Sequence, residues 1–100
     1  MSNKYEVWYS KDFVASCQGT QVIDRDAITA THVKVKDVEA PNPDSAFCAM
    51  QGEVWSPNGE ARPLIKRLGL RHTSMSVGDV LHALSNDLWL KVMPFGWEKV

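Results

Sequence analysis

A chain of 100 residues falls within the size range of one compact domain, with room for one hydrophobic core and not two. Apolar residues at 44% and charged residues at 23% exclude a disordered tail and a collagen-like repeat. Eleven basic against twelve acidic residues give a net charge of −1, which removes the simplest case for duplex binding, since that needs clustered positive charge.

The opening MSNKYEVWYSKDF has neither the apolar run nor the basic lead of a signal peptide, and nowhere do ~18 apolar residues run together as a membrane span requires. A cytoplasmic setting without a membrane partner is therefore expected. Cys17 and Cys48 are too few for a disulfide framework and form no C-x-x-C pattern, so both are expected as reduced thiols, with Cys48 packed as a small hydrophobe.

In chain order, Tyr5-Glu6-Val7-Trp8-Tyr9 alternates, which predicts a strand with Tyr5, Val7 and Tyr9 on one side and Glu6, Trp8 and Ser10 on the other. Residues 11–30 show no clean period. Ser16 to Thr20 reads as a turn around Gly19, and Asp24 to Ala30 holds a short helical turn at most. The clearest alternation follows in THVKVKDVEA, which sets Val33 and Val35 against a solvated face of His32, Lys34 and Lys36.

Pro41 and Pro43 end that strand, because neither can donate to a ladder. Asp44 is expected to cap a helix over 45–51 that packs Phe47 and Met50 on the sheet, with Gly52 as its exit. Trp55-Ser56-Pro57-Asn58-Gly59 predicts a turn. A second short helix over Ala61 to Leu68 uses Leu64, Ile65 and Leu68 as its apolar face, with Pro63 tolerated in the first turn.

HTSMSVGDVLHALSND supports two readings. As a helix, Ser76 and Asp79 make a capping pair, and Val77, Val80, Leu81 and Leu84 follow helical spacing; Gly78 weakens it by ~1 kcal/mol. As a hairpin, Val80 to Leu84 and Leu88 to Met93 are strands joined through Ser85-Asn86-Asp87. Local periodicity favours the helix. After Pro94, Gly-Trp-Glu-Lys-Val predicts a last strand entered through a turn at Gly96.

Ser74, Ser76, Val77, Gly78, Asp79 and Val80, with the closing Gly96, Trp97, Glu98 and Val100, form a pattern that resembles small accessory proteins of phages, plasmids and integron cassettes. The YodL-like domain of mobile elements is the group it is most similar to, and Met50 to Arg62 looks like part of its longer members. The resemblance covers the C-terminal half. It implies a mobile-element setting, a mixed α+β fold and a hairpin after the motif, but no reaction. Where those proteins usually carry a glycine in the hairpin turn, this chain reads Ser85-Asn86-Asp87.

No catalytic constellation stands out, and the expected class is a non-enzyme without cofactor. His32, His72 and His82 lack the spacing of a metal pair. Cys17 or Ser74 could serve a small hydrolase-like enzyme only inside a concave pocket, and Ser74 and Ser76 lie in no G-x-S-x-G context. Asp24 with Asp26 and Asp37 with Glu39 read as solvated carboxylates. The glycines at 52, 59, 69 and 78 are too scattered to cradle phosphate. Arg62, Lys66, Arg67, Arg71 and His72 form a local basic excess near Trp55, which suits a single-strand nucleic-acid binder as the alternative function.

Four tryptophans are more indole surface than one small core hides, and tryptophan is over-represented at interface hot spots. The leading expectation is thus a protein-binding module, a homodimer or an inhibitor of a host enzyme, with Trp8, Trp55, Asn58, Arg62, Arg71, His72 and Trp89 as candidate contact residues. The fold expected is α+β, an antiparallel sheet of four or five strands with one or two short helices on one face. Its core is expected to hold Val7, Val33, Val35, Phe47, Met50, Leu64, Ile65, Val80, Leu90 and Val92.

Overall fold

The computed structural model describes residues 3–11 and 25–100, with the side chain of Arg25 excepted. The expectations for Cys17, for the turn around Gly19 and for Asp24 lie outside the described residues.

The fold is α+β. A five-stranded antiparallel sheet comprises β1 (Asn3–Ser10), β2 (His32–Ala40), β3 (Val80–Ala83), β4 (Leu88–Val92) and β5 (Trp97–Lys99), in the order β2-β1-β3-β4-β5. Among the described residues four short helices, α1 (Ile28–Thr31), α2 (Pro43–Ala49), α3 (Gly52–Trp55) and α4 (Arg62–Arg67), exceed the one or two expected. A 3-10 turn over Arg25–Ala27 precedes α1. Of the two additional helices, α1 follows the short helical turn expected before β2, and α3 starts at the glycine expected to end α2; the Gly52 N–H donates to Ser74 Oγ at 2.7 Å, and that bond anchors a new turn.

Strand β1 is an inner strand, paired with β2 and β3, so its apolar residues find partners on both sides. Tyr5, Val7 and Tyr9 point to the helix-covered face and pack with Val38, Ala46, Met50, Ile65, Leu81 and Val92. Of the expected core, Val7, Val35, Met50, Ile65, Val80, Leu90 and Val92 are buried. Val33, Phe47 and Leu64 are half-buried against the cluster. α2 is capped two residues earlier than expected: Asn42 Oδ1 accepts from Ser45 N at 2.8 Å, which frees Asp44 for another partner.

Three expectations for β2 and its surroundings are corrected. An irregularity between Val7 and Trp8 pairs Val7 with Lys36 and Trp8 with Lys34, so the strand changes phase around Val35. As a bulge does, this breaks the strict alternation: Lys36 joins Val33 on the helix side, and His32 and Lys34 take the other. His32 is not solvated but 1% exposed. Its ring is held by Gly78 O at 2.9 Å and Thr31 Oγ1 at 2.8 Å. Cys48, expected to be packed, is an exposed free thiol, because α2 turns Ala46 and Met50 inward instead.

Residues 80–92 form the hairpin. Val80, Leu81 and Ala83 are buried in the middle of the sheet, and Gly78, at φ +92°, sits in a region that an ordinary helix cannot use. Ser76 and Asp79 do interact, but across a turn: the Ser76 N–H donates to Asp79 Oδ2 at 2.8 Å, and the Asp79 N–H to Ser76 O at 3.0 Å.

Candidate protein-binding site

The β4–β5 connection runs Met93-Pro94-Phe95-Gly96 and is closed by the Met93 N–H donating to Gly96 O at 3.0 Å. Proline suits the second position of such a turn, and Gly96 at φ +82° supplies the left-handed step that re-enters the strand. This geometry leaves Phe95 at the tip. It is 98% exposed, against 59% for Val54 and 42% for Leu84, the other large exposed apolar residues among those described.

Beside Phe95 lies an open groove of about 200 Å³ between the hairpin and α2, walled by Phe47, Val92, Met93, Pro94 and Trp97 with Asp44 at its rim. Phe47 and Trp97 meet edge-to-face at 6.3 Å and 86°, and the Trp97 Nε1–H donates to Asp44 Oδ1 at 2.8 Å. These contacts fix both walls. Pockets for whole small ligands run from ~300 Å³ upward, so this one is sized for a single side chain.

The remaining indoles are half-buried. Trp8 and Trp89 lie together on the sheet face opposite the main core, 5.8 Å apart, with His82 stacked on Trp89 at 3.9 Å and 8°. His82 bridges two carboxylates, Glu6 Oε1 and Asp87 Oδ1, each at 2.7 Å, and Lys34 reaches Glu6 and Asp37 at 3.0 Å. Burial acts to raise the Glu6 pKa, but the hydrogen bonds from His82 and Lys34 outweigh it, so this carboxyl stays below its ordinary range. The Trp8 Nε1–H is buried with no hydrogen-bond partner among the described residues. Trp55 packs on the helix side, where its Nε1–H donates to Thr73 O at 3.0 Å and Lys36 Nζ sits 5.4 Å from its ring. The four indoles therefore divide two and two across the sheet.

The other candidate residues separate into structural and exposed groups. Asn58 is exposed, with its N–H and Nδ2 both donating to Glu60. Arg62, Lys66, Arg67 and Arg71 are exposed on and after α4. His72 is buried. Its Nε2 lies 2.9 Å from Asp79 Oδ2, and its ring stacks on Tyr9 at 4.6 Å. Asp79 is 1% exposed and also accepts from Ser10 N and Ser76 N at 2.8 Å, so one carboxylate ties β1, the loop after α4 and the start of β3 together. Burial, reinforced by the Asp79 charge, pushes the Tyr9 hydroxyl well above its usual range; that hydroxyl donates to Thr73 O at 2.7 Å. Ser74 Oγ is engaged by the Gly52 N–H.

Among the described residues no group of His, Cys, Asp and Glu could hold a metal ion, and no helix is long and apolar enough to cross a membrane. Sequence reasoning fixed on the tryptophans and missed Phe95. The available signal was Pro94-Phe95-Gly96 itself, where proline and glycine define the turn and leave the aromatic at its apex. Comparison of the chain with family models, with curated proteins and with solved structures returned no match.

Proposed function

We propose that this chain is a non-catalytic binding protein that acts through a protein–protein interface centred on the β4–β5 turn. The observation that carries the reading is Phe95, an aromatic ring held fully in solvent beside a side-chain-sized apolar groove. The closed turn already fixes the backbone that carries the ring, which leaves only the side-chain torsions to be ordered on binding, and aromatics anchor interfaces disproportionately. The motif resemblance adds a mobile-element setting and the option that the partner is a host enzyme, and the sequence pattern of the opening residues adds a cytoplasmic location.

A photo-crosslinking phenylalanine analogue at position 95, expressed in the native cells, tests this. A discrete protein adduct at position 95 that is absent when the probe replaces Lys66 supports the reading. No adduct from position 95 overturns it.

The second reading, single-stranded nucleic-acid binding, has the exposed cations Arg62, Lys66, Arg67 and Arg71 in its favour. Against it, the Trp55 ring is held by Lys36 and its N–H by Thr73, which leaves less of the indole for stacking on a base. Quenching of tryptophan fluorescence by an oligonucleotide at low salt would restore this reading.

A further inference from the structure

We infer that the partner at this surface is a second copy of this chain, joined about a two-fold axis through the outer edges of the two β5 strands. The inference rests on the interface reading above and names its occupant.

Knob and hole are adjacent on one subunit. Phe95 projects from the same turn whose Pro94 and Met93 wall the groove, so a two-fold axis passing between them delivers each ring to the other copy's groove. An isologous contact needs a self-complementary patch of this kind.

The backbone offers a second, independent match. β5 is an edge of the sheet, and among the described residues no strand pairs with its outer side. Gly96 O accepts from Met93 N and the Val100 N–H donates to Trp89 O, so Gly96, Glu98 and Val100 turn their backbone groups inward. By alternation, Trp97 and Lys99 present theirs outward, as an antiparallel copy requires. An axis through Glu98 would set two like charges directly opposite each other, which is destabilising in a sheet. The favoured axis lies toward Trp97 and Gly96, closer to Phe95.

The expected complex is weak. Each Phe95 ring offers ~150–250 Å², and with a three-residue strand the contact falls in the class below ~1,200 Å². Sedimentation equilibrium from roughly 10 µM to 1 mM covers that regime. The wild-type mass should climb from 11.2 kDa toward twice that value with concentration.

Phe95→Asp, at a fully exposed position, should leave the thermal transition intact and weaken dimerisation by roughly 30-fold or more, as a hot-spot residue does. Lys99→Pro removes an outward N–H that the isolated subunit's ladder does not use, and should weaken it by about tenfold. A wild-type monomer at 1 mM, or a dimer indifferent to Phe95→Asp, overturns the inference. A position-95 adduct with a different protein, beside a monomeric pure protein, removes the second copy and leaves the interface reading standing. Absence of any adduct removes both.

Discussion

Asp79→Ala is the substitution the structure marks as most damaging. The carboxylate accepts from Ser10 N, Ser76 N and His72 Nε2, all within 2.9 Å, at a site 1% exposed. Each buried donor that loses its acceptor costs about 1–3 kcal/mol, and breaking a buried pair from one side costs about 3–5 kcal/mol. These figures overlap and do not add, so the expected loss is about 3–5 kcal/mol. Domains of this kind hold only about 5–15 kcal/mol in total. Urea denaturation reads the loss directly: with a slope of about 1–3 kcal/mol/M, the midpoint should fall by roughly 2 M. Asp79→Asn, which retains one acceptor oxygen, should fall between the variant and wild type. A double-mutant cycle with His72→Ala should return a coupling of about 0.5–3 kcal/mol. A loss below about 1 kcal/mol for Asp79→Ala would refute the view that this carboxylate ties the strands together.

Three further outcomes follow from neighbouring geometry. Tyr9→Phe removes the hydroxyl that donates to Thr73 O at 2.7 Å and should cost about 1–2 kcal/mol in the same denaturation assay; no change would show that water replaces it freely. Burial lowers the His32 pKa from 6.5, outweighing the bond to Gly78 O, so the folded state binds this proton less readily than the unfolded chain. Stability should therefore fall as pH drops below 6.5 toward the folded pKa, and the His32 ring should titrate by NMR below 6.5; a midpoint above 6.5 contradicts the sign. Gly96→Ala meets open space but must keep φ +82°, so thermal unfolding should report a loss of about 1–2 kcal/mol from backbone strain alone; a neutral result would mean that the turn relaxes.

Much of the architecture was legible in local pattern. Alternation marked β1, proline and apolar spacing marked α2 and α4, and Pro57-Asn58-Gly59 marked the turn in which Gly59 adopts φ +82°. Residues 76–84 were not settled locally, since a capping pair and helical spacing coexist there with a strand pattern. Pairing decided it: β3 fills the slot between β1 and β4, where Val80 and Leu81 are buried, and β1 lies some 70 residues away in the chain. The burial of His32 was hidden for a related reason: it keeps the face opposite Val33 that alternation assigns, and it is buried because Gly78, 46 residues further along, lies against its ring. The register change opposite Val7 and Trp8 is likewise a property of two strands together, and it moves Lys36 to the helix side.

The candidate site shows the same division. Composition alone raised the expectation of uncovered aromatic surface, because the count of large rings against domain size needs no coordinates; all four indoles are half-buried. Which aromatic remains uncovered depended on tertiary structure. The sheet takes two tryptophans on each side, while a closed turn with proline before Phe95 and glycine after it holds that ring outside. Local sequence determines turns and periodicity through short-range sterics. Burial is set by what the rest of the chain lays across a residue, and that is decided only when distant strands pair.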